Sequence, residues 1–170
     1  MNRLDTYVND DAGYLNDHLA GAAAAIQHLD RMRGREPESE LGHVLQALRL
    51  EIAQDRVVLE RVIAAVGGSP NPVKRAGALG AEMLATLRMQ MPFLGTGSTE
   101  ATRLEELEML SLGIEGKVLL WRALGELKAS DMRLESFDFA DLERRAKSQR
   151  DRLERFRLRY AAEALRVHAA

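Results

Sequence analysis

The sequence predicts an all-α protein built as a bundle of two helical hairpins. Apolar residues recur at alternating spacings of three and four along most of the chain, which places them on one face of a 3.6-residue helix. Aromatic residues make up only 5% of the 170 residues and there are four prolines, a composition that favours helices over sheet. Segments of the first half also reappear, in pattern, 94 or 95 residues later.

Each element follows from its own signals. Helix A is expected over about residues 11–33, where Leu15, Leu19, Ala22, Ile26 and Leu29 form one stripe and Gly34 supplies a stop. Helix B is expected over about 37–66, opening at Pro37, a favoured first-turn residue. Its stripe is Leu41, Leu45, Leu48, Ile52, Asp55, Leu59, Val62 and Val66, and Gly67-Gly68 ends it.

A turn at Ser69-Pro70-Asn71-Pro72, with Asn71 as N-cap, leads to a connector helix over about 72–91 that ends before Pro92. A helix of that length spans about 30 Å and can return the chain along the bundle, so that helices B and C run parallel. The following Gly95-Thr96-Gly97-Ser98 lacks the strand and lysine of a phosphate-binding loop. Helix C is expected over about 99–128, capped by Ser98 or Thr99 and apolar on more than one face, with Met109, Leu112, Leu119 and Leu120 lying beyond its main stripe. After a loop through Ser130 and Asp138, helix D is expected over about 140–168, starting at Asp138 or Asp141, with Leu142, Ala146, Gln149, Leu153, Phe156, Tyr160 and Val167 at the bundle spacing. One domain, 1–170, accommodates all of this.

The repeat pairs Asp55-Arg56-Val57-Val58-Leu59-Glu60-Arg61-Val62 with Gln149-Arg150-Asp151-Arg152-Leu153-Glu154-Arg155-Phe156 at an offset of 94. Leu15, Leu19, Ile26 and Leu29 fall on Leu110, Ile114, Trp121 and Leu124 at an offset of 95. Nearly equal offsets in both helix pairs point to a duplicated hairpin and a pseudo-twofold bundle.

Composition narrows the function. There is no cysteine, which excludes disulfides, thiolate nucleophiles and thiolate metal sites. Met1 to Asp11 is polar and acidic rather than a secretory signal, and no apolar run approaches a membrane span, so a cytoplasmic protein without membrane association is expected. A formal charge of -2 provides no general attraction to nucleic acid. The arginines from Arg144 to Arg159 have acidic neighbours and read as an ion-paired helix face.

Two polar residues interrupt apolar stripes, Asp55 in helix B and Gln149 in helix D, and the repeat makes them equivalents. Buried polar groups are costly without partners. Lys117, on the stripe of Leu110, Ile114, Trp121 and Leu124, lies level with them. The expected arrangement is a metal-free core cluster of Asp55, Lys117 and Gln149. His28, His43 and His168 are read on outer faces or a chain end, Trp121 and Tyr160 as packing.

Tyr14-Leu15-Asn16-Asp17, Leu59-Glu60-Arg61-Val62 before Gly67, and Trp121-Arg122-Ala123-Leu124, with two hairpins and a long crossover, resemble the ferritin-like superfamily. Within it the chain most resembles small bacterial ferritin-like stress-response proteins of unassigned function, over roughly residues 11–165. The resemblance implies a dinuclear Fe or Mn site held by carboxylates and imidazoles, for which Glu51, Asp55, Glu115 and His18 are the candidates. The departures are large. Neither helix B nor helix D contains Glu-x-x-His, Arg145 and Ala146 precede Gln149, Ala20 is the repeat partner of Glu115, and Lys117 would face any bound cation. The chain is therefore read as a non-catalytic, cofactor-free relative that acts as a homodimer or through a protein partner, with an Fe- or Mn-dependent oxidase or storage protein as the alternative.

Overall fold

The computed structural model describes residues 3–71 and 99–166, and the expected connector helix, the Gly-rich loop and His168 lie outside these residues. Four long helices and one short 3-10 turn make up the described chain: α1 (Arg3–Arg35), α2 (Glu40–Ala65), α3 (Thr99–Lys128), the turn Met132–Leu134, and α4 (Phe139–Arg166). No strand occurs among the described residues. None of these helices is long and apolar enough to cross a membrane.

Helix α1 begins at Arg3, well before the expected residue 11. Leu4, Val8 and Ala12 continue the spacing that leads into Leu15, a signal diluted by intervening polar residues. Gly34 does not stop α1, which runs on to Arg35. The break comes at Glu36, because a residue before proline is driven out of the helical region and Pro37 follows. Pro37 accordingly lies outside α2. Ser39 caps that helix instead, its Oγ accepting from Gly42 N at 2.9 Å.

Helix α2 ends as expected from Gly67-Gly68. Gly67 adopts φ 85°, Gly67 N donates to Ala64 O at 3.1 Å, and Gly68 N donates to Ile63 O at 2.9 Å. This is the Schellman closure, in which a left-handed residue satisfies the last helical carbonyls. Asp138 caps α4 through Asp141 N at 2.9 Å.

One apolar cluster runs through the bundle and includes Leu19, Leu45, Leu48, Val62, Trp121, Leu153 and Phe156. Leu134 and Phe137 of the segment before α4 and Phe139 at its start close one end. Phe139 stacks on Trp121 at 6.2 Å and on Phe137 at 5.7 Å.

Packing is densest within the α1–α2 and α3–α4 hairpins. Helix α3 runs antiparallel to α1. His28 and Glu36 of α1 and its following loop meet Glu106 and Arg103, whereas Tyr14 and Leu15 share a crevice with Leu124 and Leu127. Since α2 is antiparallel to α1, α2 and α3 run in the same direction. Asn71, whose N–H donates to Asn16 Oδ1 at 2.7 Å, therefore lies at the opposite end of the bundle from Thr99.

Candidate functional site

The residues that break the apolar stripes meet at mid-bundle. Asp55 is 2% exposed and Gln149 is fully buried, because each occupies a position on the inward stripe of its helix. Lys117 enters from α3 with its side chain 13% exposed. Its Nζ donates to Asp55 Oδ2 at 2.6 Å and also to Gln149 Oε1. Gln149 Nε2 donates to the same Asp55 oxygen at 3.2 Å. The amide orientation follows from this, since its oxygen must face the ammonium and its NH2 the carboxylate.

A fourth member, Arg145, completes the site. Its guanidinium lies 2.8 Å from Asp55 Oδ1, so the carboxylate has a cation on each oxygen. Arg145 precedes Gln149 by one turn on α4, which was visible in the sequence, but its side chain is long enough to aim inward or outward. Only the rotation of α4 against α2 decides. One turn further along that seam, Glu51 pairs with Arg152.

The electrostatics follow from burial. Loss of water pushes the Lys117 ammonium below the ordinary lysine value, with Asp55 opposing that shift and Arg145 adding to it. Burial would raise Glu51, but the Arg152 guanidinium, with help from Gln149 and Arg145, leaves its carboxyl below the usual range.

The four residues considered for a metal are not assembled as a ligand set. Glu115 pairs with Arg150, and His18 sits edge-on to Tyr14 with ring centroids 4.7 Å apart. Burial lowers the His18 pKa, with Asp17 opposing. Among the described residues no group of three or more His, Asp or Glu side chains is arranged to hold a metal. The donor chemistry does not fit Fe or Mn, because Glu51, Asp55 and Glu115 each already carry a cation of the chain and an ion at Asp55 would stand against Lys117 and Arg145.

Two other expectations change. His28 is not on an outer face: it is half-buried between α1 and α3, where Nε2 donates to Glu106 O at 3.3 Å, and burial lowers its pKa. Leu120 is 1% exposed and belongs to the core, whereas Leu112 and Leu119 are 63% and 51% exposed. Trp121 and Tyr160 are buried, and Arg103 and Arg159 lie over the Tyr160 ring at 5.4 and 5.3 Å. The arginines of α4 are ion-paired, many of them to other helices rather than along α4. Neither a protein-family model, nor a curated protein, nor a solved structure matches the chain.

Proposed function

We propose that this chain is a non-catalytic ferritin-like protein of the cytoplasm, with a metal-free polar core, that acts through self-association or by binding another protein, in a stress-related role. The plan would be two related hairpins joined by a crossover that carries the expected helix over about 72–91. Its support is the parallel course of α2 and α3, which separates Asn71 from Thr99 by the length of the bundle.

The observation that carries the non-catalytic reading is the occupation of Asp55. A carboxylate with an ammonium on one oxygen and a guanidinium beside the other already has its charge met by the chain, and a metal ion placed there would stand against both cations. Such a cluster sets which helix faces meet and in what register, a use attested for buried ionic groups elsewhere.

Elemental analysis of protein purified after growth with added Fe or Mn tests this reading. Substoichiometric metal, unchanged in an Asp55→Ala variant, is the expected result. Stoichiometric metal that disappears in Asp55→Ala overturns it and favours the oxidase or storage alternative. Self-association is tested by mass in solution: a homodimer of the 18.9 kDa chain is expected, with the exposed Leu112 and Leu119 as the apolar surface it would cover. A monomer at every concentration removes self-association and leaves protein binding.

A further inference from the structure

The ion pairs between the two hairpins are polarised. Among the described residues, Glu36 pairs with Arg103, Glu40 with Arg155 and Arg159, Glu51 with Arg152, and Asp55 with Lys117 and Arg145. In all six the first hairpin supplies the carboxylate and the second the cation. Arg35 with Glu106 runs the other way.

These pairs join α2 to α4 at Glu40, Glu51 and Asp55 and reach across to α3. Most are partly exposed, so each alone contributes little. Their common sign makes them act together. Four carboxylates offset six cations carried by α3 and α4, and neutralising the carboxylates leaves those cations facing an uncharged partner. The hairpins themselves are joined by denser packing and by pairs that do not cross the seam, such as Asp30 with Arg49 and Glu115 with Arg150.

We propose that this polarised seam is an acid-sensitive latch: protonation of Glu36, Glu40, Glu51 and Asp55 lets the α1–α2 hairpin swing away from the α3–α4 hairpin while both hairpins stay helical. The groups facing the four carboxylates are Arg103 and Lys117 of α3 and Arg145, Gln149, Arg152, Arg155 and Arg159 of α4. The reverse pair of Arg35 with Glu106, the His28 contact to Glu106 O, the Arg133 hydrogen bond to Val66 O and the shared apolar cluster also cross the seam and do not depend on the four carboxylates. The Arg152 guanidinium holds the Glu51 carboxyl below the usual carboxylate range, so the latch releases only in strong acid. Screening by concentrated salt acts in the same direction.

The absence of cysteine allows paired spin labels in the full chain. The exposed positions Gln54 and Ser148, as Gln54→Cys and Ser148→Cys, report across the seam. Ala24→Cys with Gln54→Cys reports within the first hairpin. The expected result is a seam-crossing distance that lengthens by about 10 Å, one helix diameter, in strong acid, and likewise at neutral pH when Glu36→Gln, Glu40→Gln and Glu51→Gln are combined. The within-hairpin distance stays constant, and Asp30→Asn, which neutralises a carboxylate away from the seam, leaves the crossing distance unchanged. A crossing distance that stays constant under both treatments overturns the latch, as does simultaneous loss of both distances, which is ordinary unfolding.

Discussion

Asp55 and Gln149 occupy equivalent places in the two hairpins, 94 residues apart, and they hydrogen-bond directly to each other, Gln149 Nε2 to Asp55 Oδ2 at 3.2 Å. The sequence repeat pairs these two positions, and the contact between α2 and α4 brings them face to face, a carboxylate on one side and an amide on the other. The place matching Lys117 at the 95-residue offset is Ala22 of α1, so a single ammonium serves the pair.

Removing the shared anion is expected to cost more than removing the whole buried pair. Asp55→Ala leaves Lys117 and Arg145 without their counter-charge and is expected to destabilise the fold by about 3–5 kcal/mol. Asp55→Leu combined with Lys117→Met removes both charges and restores apolar packing, and should recover most of that loss. Urea unfolding of the singles and the double measures the coupling. Additive losses would mean that Asp55 and Lys117 are energetically independent.

The depressed Lys117 pKa implies a definite pH dependence. The folded state releases this proton more readily than the unfolded chain, so between the lowered folded value and the ordinary 10.5 the unfolded chain binds more protons. Stability from this group must therefore rise with pH across that window. Lys117→Met is expected to flatten the alkaline rise. Thermal unfolding at a series of pH values up to about 10, wild type against Lys117→Met, gives the comparison; parallel curves would rule out a titrating Lys117.

Two glycines in helices are expected to respond in opposite ways to alanine. At Gly42 an added Cβ would overlap the carbonyl oxygens of Glu36 and Pro37, where the α1–α2 loop crosses the start of α2. Overpacking of that kind costs about 1–3 kcal/mol. Gly21 has nothing within 4 Å of such a Cβ and lies in the middle of α1, so Gly21→Ala is expected to stabilise by roughly 0.5–1 kcal/mol. Chemical denaturation of both variants is sufficient, and a Gly42→Ala protein as stable as wild type would show that the loop shifts freely.

Much of the fold was legible because helices write their buried face into the spacing of their side chains. The stripes located α2, α3 and α4 to within a few residues, and the polar interruptions at Asp55, Lys117 and Gln149 stood out against them. Helix ends were less legible where two signals competed. Gly34 and Pro37 both read as helix punctuation, and Ser39 capping together with the restriction on Glu36 decided between them. Arg145 was missed as the partner of Asp55, and His28 as a contact between hairpins, because both lie beside a stripe rather than on it.

By itself the sequence determined that the chain is helical, that its halves resemble each other, and which few polar groups must be buried. Those properties are local, fixed by side-chain spacing and by the cost of unpaired polar atoms. Tertiary structure alone decided that Asp55 carries two cations instead of one, and that carboxylates and cations sort to opposite hairpins. Each of these depends on how helices rotate against one another, and a long arginine or lysine side chain leaves that rotation unspecified until its partner is in place.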